Sequence, residues 1–130
     1  MPFIKPDFLS ADFNGDNKED VAVLVVHKST SRKGILIIHN STAEHFVMGA
    51  GKDFGNGGKD FSWLDKWALY KKKSADETIF DKVTGDIKGS RTIKLLRPGI
   101  LIEDYEDGAA IAGGIIYWNG NKYKWIHQGE

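Results

Sequence analysis

"GIIYWNGNKYKWIH", residues 114–127, sets two apolar, aromatic-rich runs on either side of Asn119-Gly120. Asn-Gly most readily adopts the positive-φ backbone of a two-residue hairpin turn. The β-branched and aromatic residues beside it suit a pleated, half-buried strand. With Asn119 and Gly120 as the whole loop, Ile116 pairs with Tyr123 and Tyr117 with Lys122. Ile116, Trp118, Tyr123 and Trp125 then share one face, and Ile115, Tyr117, Lys122 and Lys124 share the other. A four-residue loop would preserve the split between faces less cleanly. The first face has the composition of a core, so the C-terminal third reads as antiparallel β.

The same pattern extends through the chain. "ILIEDYED" (100–107) is a strand closed by Asp107-Gly108. "VAVLVV" (21–26) and "GILIIH" (34–39) are continuous apolar runs, as expected of strands covered on both faces or central in a sheet. The polar "HKSTSRKG" joins them as a hairpin loop, and "EHFVMGAG" (44–51) is a third strand. "FSWLDKWALYKKK" (61–73) divides into a turn or helical start at 62–66 and a strand from about Trp67. "ETIFDKVTGDIKGSRTIKLLRPG" (77–99) reads as short strands broken at Gly85, Gly89 and Pro98-Gly99. The expectation is a mainly β, antiparallel single domain over residues 1–130, sandwich-like or a partly closed barrel. It has about seven to nine strands and at most one short helix.

A chain of 130 residues fits one domain. At that size roughly two-thirds of the unfolded surface is buried, so folding needs neither disulfide nor metal. Lysine plus arginine and aspartate plus glutamate number 18 each, which argues against a nucleic-acid partner. The run Lys71-Lys72-Lys73 reads as a solvated strand end. Cysteine is absent, which removes disulfides, thiolate metal sites and a cysteine nucleophile. No apolar run approaches the roughly 18 residues of a membrane span. "MPFIKPDFLS" lacks the features of a signal peptide, although a chain whose leader had been removed would read the same.

The chemistry concentrates in "DFNGDNKEDVAVLVV", residues 12–26. Asp12, Asn14, Asp16 and Asp20 fall at positions one, three, five and nine of a loop. A loop wrapped around an ion presents alternate residues inward, and calcium takes six to eight oxygens at about 2.3–2.6 Å. Lys18, at position seven, would contribute its backbone carbonyl. Residues 12–20 hold four acids and one lysine, and without a cation the aspartates would raise one another's pKa. The competing reading is an acidic Asx-rich turn without metal, since Asn-Gly-Asp is good turn chemistry. Magnesium suits the loop less well, because it favours tight octahedral sites that keep several waters.

These residues resemble the calcium loop of FG-GAP and VCBS-type repeats, Asp-x-Asp/Asn-x-Asp-Gly-x-x-Asp followed by an apolar strand. The resemblance implies calcium held by Asp12, Asn14, Asp16, Lys18 (carbonyl) and Asp20. It covers residues 12–26 in a single copy, so a several-bladed propeller is not implied. Position six, usually glycine, is Asn17, a residue that tolerates the left-handed region. Position twelve is Val23 rather than glutamate, which disfavours an EF-hand. The C-terminal run is similar to the tails of small bacterial proteins bearing one such loop, and supplies no activity.

Other candidates are weaker. His27, His39, His45 and His127 do not form zinc spacings, and no Gly-x-Ser-x-Gly is present. Residues 103–107, "EDYED", read as a solvated edge strand whose charges discourage pairing. Their alternative is a carboxylate pair acting on glycosidic bonds, which needs a cleft and a definite separation. The glycine-rich segment 49–60 reads as a surface loop and lacks the Gly-Lys-Ser/Thr ending of a P-loop. Trp63, Trp67, Trp118 and Trp125 suit a core, with an exposed pair lining a saccharide or peptide groove as the alternative.

The leading expectation is a calcium-stabilised, non-catalytic β domain acting through surface contacts. Loops of this kind fill at millimolar calcium, which points to a periplasmic or secreted setting. The expected partners are calcium and a secreted protein or a saccharide, with no nucleic acid. Two alternatives stand beside it. One is a binding or inhibitor protein for a secreted partner, contacting it through 49–60 or 103–107. The other is a small carbohydrate-active hydrolase.

Overall fold

The structure, a computed structural model, describes residues 6–52, 54, 58–81, 83–106 and 109–129, excluding the side chains at 105, 106, 109–112 and 129. Ten strands are described: β1 (Phe8–Ala11), β2 (Asp20–Val26), β3 (Lys33–Ile38), β4 (His45–Gly49), β5 (Lys66–Tyr70), β6 (Ser74–Phe80), β7 (Ile87–Lys94), β8 (Gly99–Glu106), β9 (Ala109–Trp118) and β10 (Tyr123–Gly129). A 3-10 turn at Phe61–Trp63 precedes β5. The expected mainly antiparallel β class holds. Every pairing is antiparallel, in sheets ordered β1-β2-β3-β4, β10-β9-β8-β5 and β6-β7. Among the described residues no sheet closes into a barrel.

The two four-stranded sheets share one core. Leu9, Ala22, Leu24, Ile35, Ile37 and Met48 from the first meet Trp67, Ile100, Ile102, Ile116 and Tyr123 from the second. The β6–β7 hairpin lies on the opposite face of the second sheet, where Ala75 and Leu95 pack with Ile115 and Ile126. That third layer explains why Ile115 and Ile116, on opposite faces of β9, are both fully buried.

Several expectations change. The β9–β10 loop is four residues long, with Trp118 opposite Tyr123 and Ile116 opposite Trp125. Asn119 Oδ1 accepts from the amides of Asn121 and Lys122 at 2.9 and 2.8 Å, so an Asx turn replaces the two-residue turn. The pairing moves by two residues, and the expected core face survives because strand faces repeat every two. β2 and β3 are central in their sheet, yet only one face of each is fully buried; Val21, Val23, Val25, Leu36 and Ile38 are half-buried. β1, absent from the sequence reading, pairs with β2. β8 lies between β5 and β9 as far as Glu103, which is opposite Lys66, so the acidic run begins inside the sheet rather than on an edge. Asp107-Gly108 lies outside the described residues. β6 and β7 pair as one antiparallel ladder, with Gly89 opposite Ile79 at a bulge between Ile79 and Phe80, rather than as a series of short strands.

Candidate metal centre

The turn between β1 and β2 is built from its own side chains. Asp12 Oδ1 accepts the amides of Gly15 and Asp16 at 2.8 and 3.0 Å, and Oδ2 accepts that of Asn17 at 2.8 Å. Asp16 Oδ1 accepts the Lys18 amide at 3.0 Å, while Oδ2 accepts from Asn14 Nδ2 at 3.3 Å and from the Ser41 hydroxyl. Asp20 is 1 % exposed. Its carboxylate receives the amides of Phe13 at 3.0 Å and Asn40 at 3.1 Å, tying the loop to the segment after β3. Asn17 takes φ 67°, as expected of asparagine where the repeat pattern has glycine. Gly15 has φ 78°, and Arg97 crosses it so closely that an added Cβ would lie 2.1 Å from Nε.

Carboxylate oxygens of Asp12, Asp16 and Asp20 all lie within 4.8 Å of one another. Two oxygens on opposite sides of an ion at about 2.4 Å are roughly 4.8 Å apart, so the spacing suits a single calcium. A carboxylate has about four acceptor positions. The bonds above leave roughly one on Asp12, one on Asp16 and two on Asp20. Among the described residues no lysine or arginine pairs with any of the three. Asn14 stands beside them, with Oδ1 accepting the Asp16 amide at 3.3 Å and its nitrogen turned to Asp16 and His39. Lys18 enters the turn through its backbone amide, and its side chain is exposed. The loop's hydrogen bonds also satisfy the bare-turn reading, so donor chemistry, rather than an orphaned atom, is what fits the ion.

Behind the loop lies a group that sequence spacing could not show. His39 is 1 % exposed; its Nε2 is 2.6 Å from the Tyr123 hydroxyl and its Nδ1 is 3.3 Å from Asn14 Nδ2. With Asn14 donating to Nδ1, the proton sits on Nε2 and faces Tyr123. Phe46 and Trp118 enclose the imidazole at ring separations of 4.7 and 5.1 Å. Burial drives the Tyr123 hydroxyl pKa well above its ordinary value, helped by the charges of Asp20, Asp12 and Asp16. The Asp16 carboxyl is held below the usual range, first by the Ser41 hydroxyl. The available signal was the β2–β3 hairpin. Val21 pairs with Ile38, so Asp20 is necessarily beside residues 39 and 40.

The remaining candidates separate. Among the described residues the three aspartates form the one cluster able to hold a metal, so His39 and His45 are not part of another. Glu103 and Asp104 are consecutive strand residues and point to opposite faces; the other side chains of that run lie outside the described set. Trp67 is buried and donates to the Pro6 carbonyl at 2.8 Å, and Trp63, Trp118 and Trp125 pack against the core, as the core reading expected. Part of the glycine-rich segment, residues 53 and 55–57, is outside the described residues. Compared with family models, curated proteins and solved structures, the chain matches none.

Proposed function

We propose that residues 12–20 bind one calcium ion and that the protein is a calcium-stabilised, non-catalytic β domain acting through its surface. The observation that carries this reading is the convergence of three carboxylates within 4.8 Å with no lysine or arginine paired to them among the described residues. Repulsion at that separation is relieved by a divalent cation. The resemblance of residues 12–26 to FG-GAP and VCBS-type loops supports the choice of calcium. Asp12, Asp16 and Asp20 would supply side-chain oxygens, Asn14 its Oδ1 after an amide rotation, and Lys18 its carbonyl. The ion would join the β1–β2 turn to the β3–β4 turn through Asp20, a structural role. Filling such a site requires the calcium of a periplasmic or extracellular setting.

Isothermal titration calorimetry of chelator-treated protein tests the reading directly. One site of about 10 μM affinity, in about 1 mM calcium, adds roughly 2.7 kcal/mol of stability. No binding heat, together with identical melting curves in calcium and in EDTA, would falsify it.

A further inference from the structure

The chain holds three Asn-Gly pairs, at 14–15, 56–57 and 119–120. In such a pair the glycine has no Cβ to keep its amide nitrogen from closing onto the asparagine side-chain carbon. That closure needs an uncommitted nitrogen, an oxygen whose new charge is stabilised, and water. Asn56-Gly57 lies outside the described residues. The other two pairs sit in turns of opposite character.

In the β9–β10 turn Asn119 and Gly120 are both exposed, and nothing lies within 4 Å of the Cβ position of Gly120. Among the described residues no group accepts the Gly120 amide, and Asn119 Nδ2 is likewise uncommitted. Asn119 Oδ1 receives the amides of Asn121 and Lys122 at 2.9 and 2.8 Å. Two fixed amides aimed at a carbonyl oxygen stabilise the negative charge it gains under attack. In the β1–β2 turn the same groups are committed. The Gly15 amide donates to Asp12 Oδ1 at 2.8 Å, and Asn14 Nδ2 is turned to Asp16 and His39. The clustered carboxylates of Asp12, Asp16 and Asp20 also oppose any further negative charge beside them.

We propose that Asn119 is a site of self-modification, where the Gly120 amide displaces the side-chain nitrogen, and that Asn14 is protected by its loop. The Gly120 nitrogen gives its proton to solvent and bonds to Asn119 Cγ. The carbonyl electrons move onto Oδ1, where the Asn121 and Lys122 amides hold the charge. Their return breaks the Cγ–Nδ2 bond, and Nδ2 takes a proton from solvent and leaves as ammonia. Water then opens the succinimide at either carbonyl, giving aspartate or isoaspartate. One water is consumed and one ammonia released, with no change of oxidation state. In the isoaspartate product the chain runs through the former side chain, so Asn119 no longer caps the turn that leads into Tyr123.

Peptide mapping of the full chain, aged in mildly alkaline buffer, reads each site through a mass gain of about 1 Da. The incubation contains EDTA, so calcium binding has no part in the result. In the folded protein Asn119 converts at least about tenfold faster than Asn14, and in urea, where both turns are lost, the two rates agree within about threefold. Asp12→Ala frees the Gly15 amide and speeds Asn14, leaving Asn119 unchanged, whereas Asp12→Asn keeps the acceptor oxygen and the protection. Equal rates in the folded chain, a faster Asn14, or an Asn119 that stays intact overturns the proposal. So does a gap that persists in urea, because sequence neighbours rather than the fold would then set it.

Discussion

Asp20 joins the loop to the sheet, and Asp16 belongs to the loop alone. Asp20→Ala leaves the buried amide of Phe13 and the partly buried amide of Asn40 without their acceptor. The expected loss is about 3 kcal/mol even in chelator, read by urea denaturation. Asp16→Asn removes one of three like charges and one of the acceptor oxygens that receive Asn14, Ser41 and the Lys18 amide. It should abolish the calcium response and lower the calcium-free melting temperature modestly, by about 0.5–1.5 kcal/mol of stability. Proton linkage acts at both ends of the pH scale. Asp60, whose carboxyl accepts the Lys33 amide at 3.0 Å and caps the Phe61–Trp63 turn, is held below its usual pKa, first by that Lys33 bond. Its contribution, like that of Asp16, is present above the unfolded carboxylate value of about 3.9 and is lost as pH falls through the lower folded value. Tyr123 works in the opposite direction. Its folded pKa is raised, so stability is full below about 10 and falls as pH rises above that, by up to about 1.4 kcal/mol per pH unit. Tyr123→Phe should shrink that alkaline limb to the part set by Tyr117, whose pKa burial also raises, and cost about 1–3 kcal/mol at neutral pH, because it strips buried His39 of its 2.6 Å partner. An unchanged alkaline limb in the variant would sink the assignment.

At the scale of elements, β9 and β10 are held together by a ring over a glycine. Trp125 lies flat against Gly114, where an added Cβ would come within 2.3 Å of Cζ2. Gly114→Val should displace the indole and cost about 1–3 kcal/mol by overpacking, seen as a red-shifted tryptophan emission and a lower melting point. The β6–β7 hairpin is the weakest layer. Nearly all of β7 is exposed, although Arg91 and Glu77 form an ion pair at 2.7 Å. An exposed pair of this kind adds little. Amide exchange should therefore open β6–β7 well before β8–β9; simultaneous exchange would show one cooperative unit instead. Strand identity was legible wherever a run was long and β-branched, as in β2, β3, β9 and β10. β1 was not legible, because four residues of mixed polarity carry no period and are defined only by pairing with β2.

For the whole molecule, the expected signature of calcium is a melting temperature that rises with the ion and returns with EDTA. The loop could be read from the sequence because Asp12, Asp16 and Asp20 are close in the chain, and local spacing sets the geometry of a short turn. The residues around it were not readable. Asn40, His39 and Ser41 reach the loop from 20 to 25 positions away, and Tyr123 meets His39 across 84. The hairpin register had a local origin instead: the side chain of Asn119 accepts from amides two and three residues on and so holds a four-residue loop in place of the two-residue turn its dipeptide favours. By itself the sequence determined the β class, the antiparallel connections and the place where acids cluster, because alternation and turn chemistry act between near neighbours. Only the tertiary structure decided which faces are covered and which one is open. Burial depends on how separate sheets stack, and a strand's own residues carry no record of what lies ten ångströms above them.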